Sequence, residues 1–203
     1  MPLKHGMRGV AFETAKTVEN DGWNASTLHL YSHTGTHMDA PIHFNVSEIT
    51  VDDIPLEKCI GEAWLVDATT VKSKDEIKLN HLGDIITTFK DDESLLIKTG
   101  WSEVASDPVR YRNDLPRVSE ELANWCVANH VKMLGVEPPS VADVNNMKEL
   151  TRIHHILLGG GVTIIEGLCN LDQISQAKVM LFAAPLKVYK GDGAPARVFA
   201  VEK

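Results

Sequence analysis

Residues 33 to 43 read His33-Thr34-Gly35-Thr36-His37-Met38-Asp39-Ala40-Pro41-Ile42-His43, three histidines and an aspartate inside eleven positions. The nine histidines are otherwise scattered, and imidazole with carboxylate is the donor set that zinc, manganese and related divalent ions accept. The local backbone is constrained as well. His33 and His37 stand four apart, but a helical metalloprotease motif requires glutamate directly after the first histidine, where this chain has Thr34. Gly35 and Pro41 punctuate the stretch, so it reads as a strand end running into a tight loop. In extended backbone His37 and Asp39 share a side, because side chains alternate with period two. Gly35 permits a sharp bend that other residues avoid. A metal site follows as the first expectation.

Composition sets the frame around that segment. A chain of 203 residues that is 43% hydrophobic can bury one substantial core, and one domain spanning residues 1–203 is the expectation. A formal net charge of -8 opposes binding to nucleic acid, and no basic cluster overrides it. No apolar run approaches the roughly 20 residues that span a bilayer, so no membrane partner is expected. The first six residues lack the pattern of a secretion signal, which makes the cytoplasm the expected location. Three widely spaced cysteines fit reduced thiols, with Cys126 and Cys169 expected to be buried as small hydrophobes.

β-Branched and apolar runs predict strands over 26–33, 63–68, 94–99, 131–136, 162–166, 179–189 and 196–201. Helices are expected over 80–88, over 119–129 with Ser119 as N-cap, and over 144–158, stopped by Gly159-Gly160-Gly161. Asp91-Asp92-Glu93 reads as a solvated turn and 106–116 as an exposed loop. Intermixed strands and helices define an α/β class.

The string from His33 through Phe44, of the form His-x-Gly-Thr-His-x-Asp-x-Pro-x-His-Phe, resembles the signature of the cyclase family, which includes bacterial kynurenine formamidase and isatin hydrolase. A second block, His154-His155-Ile156-Leu157-Leu158 followed by Gly161-Val162-Thr163-Ile164-Ile165-Glu166, resembles the family's downstream segment. The resemblance implies a single-domain, swivelling β/β/α architecture around a mixed central sheet. It implies that His33, His37 and Asp39 hold one divalent ion and that Asp39, His154 and Glu166 hold a second. Zinc is the expected metal, with manganese the alternative. Leu157-Leu158 sets the register that selects His154 over His155.

The implied activity is hydrolysis of a non-peptide carbon–nitrogen bond, with N-formylkynurenine as the reference substrate. Opening of a small lactam or cyclic imide is the close alternative, and a non-catalytic metal-stabilised binding protein is the distant one. Such ions lower the pKa of bound water from 15.7 towards about 7, supplying a nucleophile at physiological pH. The leaving nitrogen needs a proton, and His43 is the expected catalytic acid, stiffened by Pro41. Thr34 and Thr36 are candidates to orient the ligands, and Asn170 to touch substrate. The family's opening strand is expected to be missing or shortened here, and the first tryptophan is Trp23. A homodimer or homotetramer is the implied assembly.

Overall fold

Alternation along four short strands decides the architecture. The computed structural model describes residues 9–202. Strands β1 (Val10–Lys16) and β2 (Ala25–Leu30) form an antiparallel hairpin, with the single-turn helix α1 (Val18–Asp21) between them. The remaining strands are β3 (His37–Asp39), β4 (Ile60–Asp67), β5 (Glu76–Ile77), β6 (Ser94–Lys98), β7 (Arg117–Val118), β8 (Met133–Val136), β9 (Thr163–Glu166), β10 (Lys178–Pro185) and β11 (Gly193–Val201). Seven of them close into a barrel in the order β10-β11-β3-β9-β8-β6-β4. Within it β4, β6, β8 and β9 run parallel to one another, while every pairing that involves β3, β10 or β11 is antiparallel.

Parallel strands are typically buried on both faces. Leu96, Met133 and Ile165 pack with Met38, Ala63 and Leu181 in one cluster. Their neighbours Leu95, Ile97, Leu134, Val136 and Ile164 pack on the other face against α4 (Glu120–Ala128) and α5 (Met147–Gly159) through Leu122, Cys126, Ile153 and Leu157. The mixed α/β sheet is therefore as expected. Its closure is the new fact, made by β10 bridging β4 and β11, and by β11 reaching β3.

Several elements depart from the sequence reading. The strand predicted over 26–33 ends at Leu30 in the hairpin, outside the barrel, so the ligand segment is carried by β3 instead. The helix predicted over 80–88 is a 3-10 turn, Leu79–Leu82, and a short α2 (Ile85–Thr88), separated at Gly83, whose φ is 52°. Residues 106–116 are not a loop. Asp107 accepts the Arg110 N–H and caps α3 (Pro108–Asn113), and Leu115 is buried. The strand predicted over 196–201 starts three residues earlier, at Gly193. Cys126 is buried as expected, whereas Cys169 is exposed, in the turn after β9. The expectation about the opening strand concerns the first eight residues and lies outside those described. No helix among the described residues is long and apolar enough to cross a membrane.

Glu93 corrects the reading of 91–93 as a solvated turn, because its side chain is buried. It accepts the Trp64 indole N–H at 2.6 Å and the Lys90 N–H at 3.0 Å, and it pairs with the Lys178 ammonium. Burial pushes the carboxyl up, but these donors, Lys178 foremost, hold it below its ordinary 4.5. The stabilisation is therefore complete above pH 4.5 and is lost as pH falls through the lower folded value. Glu93→Gln is expected to cost about 1–3 kcal/mol at pH 7. The gap from wild type in urea midpoint should narrow below pH 4.5; a constant gap would show that charge is not what Glu93 contributes.

Candidate metal centre

β3 brings the motif to the barrel wall. Met38 faces the inner cluster, so its neighbours His37 and Asp39 face the opposite side, beneath α5. β9 lies antiparallel to β3 with His37 opposite Glu166, and Ile165 turned inward leaves Glu166 outward beside the two β3 side chains. Helix α5 is capped by Asn146, whose side chain accepts the Glu149 N–H, and its buried stripe of Ile153, His154, Leu157 and Leu158 lowers His154 onto the same spot. Gly35 turns at φ 63°, and His33 lies in the turn before it. Gly167, directly after Glu166, admits no side chain: a Cβ there would stand 2.6 Å from the Gly35 carbonyl oxygen. Thr36 Oγ1 donates to the Gly167 carbonyl at 2.6 Å, which clamps β9 to the motif. Thr36 thus ties backbone to backbone and does not bond a ligand side chain.

Five ionisable side chains, His33, His37, Asp39, His154 and Glu166, converge there, each no more than 4% exposed. His37 Nε2 stands 3.2 Å from Glu166 Oε2 and 3.6 Å from Asp39 Oδ1. His154 Nε2 stands 3.5 Å from Glu166 Oε1 and 3.6 Å from Asp39 Oδ2. His33 Nδ1 is 2.8 Å from Asp39 Oδ1. The Asp39 carboxylate thus turns one oxygen to His33 and His37 and the other to His154.

The outward nitrogens are anchored. His37 Nδ1–H donates to the Gly35 carbonyl at 2.9 Å, and His154 Nδ1–H to the Leu150 carbonyl at 2.7 Å. Each leaves Nε2 facing the carboxylates, the arrangement in which an outer hydrogen bond fixes the tautomer of a metal ligand. Phe44 stacks on His154 at 4.1 Å. Glu166 Oε1 accepts the Val141 N–H at 2.7 Å.

Burial lowers the imidazole pKa values, yet the carboxylates outweigh it. Hydrogen bonds to Asp192 and Asp39 raise His33 to about 10, and Glu166 with Asp39 raises His37 and His154. Burial opposes ionisation of Asp39, but the imidazoles, His33 first, hold it well below the usual carboxylate range. Glu166 is also lowered, against burial and Asp39, by His154 and His37. Uncompensated buried charges cost several kcal/mol each. His37 Nε2 and Asp39 Oδ2 are buried without a hydrogen bond of proper geometry, and both lie at the centre of the cluster. Mixed nitrogen and oxygen donors with two orphaned inner atoms fit a divalent cation. The trios His33–His37–Asp39 and Asp39–His154–Glu166 each have donor atoms within 4.8 Å of one another.

The chain matches the family described as "Putative cyclase" over residues 1–143. It belongs to the cyclase family. Two relatives agree with that membership. A kynurenine formamidase of Bacillus mycoides (strain KBAB4) is 30% identical over 190 residues, covering 92% of this chain and 85% of its own. One from Salinibacter ruber (strain DSM 13855 / M31) is 30% identical over 174 residues, covering 86% and 78%. Among solved structures, isatin hydrolase A from Labrenzia aggregata, bound to benzyl benzoate, superposes with a TM-score of 0.85 at 25% identity over 98% of this chain and 86% of that one. A protein from Bacillus stearothermophilus described as a predicted metal-dependent hydrolase gives 0.76 at 27% identity, over 98% and 91%.

His43 stands outside the five. It lies on the 3-10 turn Pro41–Phe44, which Pro41 opens, and its side chain is 25% exposed and stacked 3.8 Å from the His33 ring. His155 is exposed on the far side of α5, whereas His154 is buried in the cluster. Asn170 sits in the left-handed region at φ 61° and opens the 3-10 turn Leu171–Gln173; it lines a cavity with Leu96 and Leu181, away from the cluster. Thr34 makes no described bond to a ligand.

The residue that the sequence reading missed is Asp192. Its Oδ2 reaches His33 Nε2 at 3.1 Å and His43 Nδ1 at 3.5 Å. Hydrogen bonds from His33 and then His43 hold its carboxyl far below the usual range. The signal was Gly191-Asp192-Gly193 at the entry to β11. A Cβ on Gly193 would stand 2.7 Å from His33 Cε1 and 2.8 Å from the Met38 carbonyl oxygen, so only glycine lets the chain pass this close.

Proposed function

We propose that this chain hydrolyses the amide of an N-formyl arylamine, with N-formylkynurenine as the reference substrate, using His33, His37, Asp39, His154 and Glu166 to hold two divalent cations and His43 as the acid. The observation that carries the reading is the buried cluster itself, with His37 Nε2 and Asp39 Oδ2 left without a hydrogen bond at its centre. The class of reaction, metal-dependent hydrolysis of a non-peptide carbon–nitrogen bond, draws on relatives named kynurenine formamidase, isatin hydrolase A and predicted metal-dependent hydrolase.

Zinc is the proposed metal, and manganese is compatible with the same nitrogen and oxygen donors. His33, His37 and Asp39 hold one ion, and Asp39, His154 and Glu166 the other. When bound, the cations supply Lewis acidity that activates water and polarises the scissile carbonyl. The protein's own work is orientation and proton transfer. The Gly35 and Leu150 carbonyls fix two ligand rings. Phe44 shields His154 from solvent, and His43 delivers a proton to the departing nitrogen. His43 and Asp192, both partly exposed, stand beside His33, and the substrate is proposed to enter on their side.

A second reading, opening of a small lactam or cyclic imide, draws on the likeness to isatin hydrolase A. The same nucleophile and acid serve both reactions. A non-catalytic binding protein is disfavoured because His43 and all five ligand positions are intact. Residues 1–203 are taken as one hydrolase domain working in the cytoplasm. A homodimer or homotetramer is proposed on the exposed apolar side chains of the hairpin, Phe12 and Leu28 among them.

The deciding experiment is hydrolysis of N-formylkynurenine with added zinc or manganese beside a chelated control. Chelator-sensitive turnover is expected. A folded, metal-loaded sample that leaves this substrate intact rejects the formamidase assignment and directs the assay to lactams and imides.

A further inference from the structure

Of the three ligand imidazoles, His37 and His154 turn their outer nitrogens to neutral backbone carbonyls, and only His33 turns its outer nitrogen to a carboxylate. That carboxylate belongs to Asp192, and the oxygen that faces His33 Nε2 also faces His43 Nδ1. The two rings stack at 3.8 Å with 29° between their planes, so both present an edge to one acceptor. Backbone packing holds the acceptor in place. The Asp192 carbonyl accepts the Ala40 N–H at 3.0 Å, and Gly193 pairs with Asp39 as β11 begins.

We propose that Asp192 is a positioning residue that accepts the Nε2–H of His33 and the Nδ1–H of His43, presenting His33 Nδ1 to the cation and leaving His43 Nε2 to exchange the proton with substrate. The role rests on the hydrolase reading above. It has two physical parts. A carboxylate behind a ligating imidazole fixes its tautomer and strengthens it as a donor more than a carbonyl does. A carboxylate oxygen shared with the acid fixes the tautomer of that ring too, because the hydrogen bond made by one ring nitrogen sets the state of the other. One side chain thereby ties the geometry of the cation site to that of the proton donor, across a loop and a strand that are far apart in sequence.

His33, His43 and Asp192 also have the composition of a small cation site of their own, with donor atoms within 4.8 Å. The test must separate a positioning carboxylate from a ligand. Asp192→Asn and Asp192→Ala are compared with wild type in the full chain, loaded with zinc. Histidine ring tautomers are read by nitrogen NMR, zinc affinity by competition with a chelating dye, and zinc stoichiometry by mass spectrometry. Both variants are expected to mix the tautomers of His33 and His43 and to weaken zinc binding by about 10- to 100-fold. Stoichiometry should not change at saturating zinc. At saturating zinc kcat falls while KM holds, and combining Asp192→Asn with His43→Ala should cost little more in kcat than His43→Ala alone.

Unchanged tautomers and affinity in both variants would overturn the proposal. So would the loss of one zinc per chain, which would make Asp192 a ligand. The tautomers and the affinity are read without substrate, so a failure of the formamidase assignment leaves this outcome legible.

Discussion

Asp39→Asn is expected to abolish chelator-sensitive hydrolysis and to lower bound zinc from the proposed two equivalents per chain to one or fewer. The geometry explains why this single exchange should outweigh any other. Asp39 Oδ1 lies 2.8 Å from His33 Nδ1 and 3.6 Å from His37 Nε2, while Oδ2 lies 3.6 Å from His154 Nε2. A carboxylate can offer a lone pair in both directions; an amide keeps one oxygen and puts an NH2 where the other was. That NH2 points a donor at a place that needs an acceptor, whichever way the side chain is turned. The negative charge is lost as well, leaving Glu166 as the one carboxylate in the five-residue cluster. Metal ions contribute several kcal/mol of transition-state stabilisation, and each 1.36 kcal/mol is tenfold in rate, so turnover should fall on the order of 10³-fold or more. Metal content by mass spectrometry and kcat on the same sample check it. A variant that keeps both equivalents and its turnover would remove Asp39 as the shared ligand.

The five side chains that converge were legible because the types a metal site would need are few, and the motif crowds three of them into one short strand and its approach. The period-two rule places His37 and Asp39 on one side of an extended segment, and β3 does so. His154 and Glu166 needed register more than composition: Leu157 and Leu158 select the histidine, and the same two leucines are buried on α5 beside it. What sequence could not supply was convergence. The antiparallel pairing of His37 with Glu166 spans well over a hundred residues, and no local pattern encodes it.

Closure of the barrel was hidden for the same reason. Each strand looks locally like any apolar strand, and only the pairing of β10 with β4 and of β11 with β3 removes the edges. The early start of β11 at Gly193 illustrates how function rides on such pairing. Gly191-Asp192-Gly193 reads as an ordinary turn, yet the close pass that Gly193 permits is what sets Asp192 against His33 and His43. Glu93 failed in the opposite sense: three consecutive acids suggest solvent, but one of them has Trp64, Lys90 and Lys178 waiting for it from other segments.

His43→Ala should leave the cation site intact and remove the acid. His43 is not among the five buried side chains of the proposed cation site, and its nearest charged partner is Asp192, at 3.5 Å. Zinc affinity is therefore expected to hold to within a few fold, while kcat on an aryl formamide drops by about 10²- to 10⁴-fold, the usual range for a positioned acid–base group. The chemistry offers a sharper test than the loss alone. An amide nitrogen must be protonated before it departs, whereas the phenolate of an activated aryl ester leaves without help. On a nitrophenyl ester His43→Ala should consequently retain most of its wild-type turnover, because water activation by the cation centre is untouched. A comparable loss on amide and ester would assign His43 to holding the substrate or the nucleophile. No loss on either, in a metal-replete sample, would take it out of the mechanism.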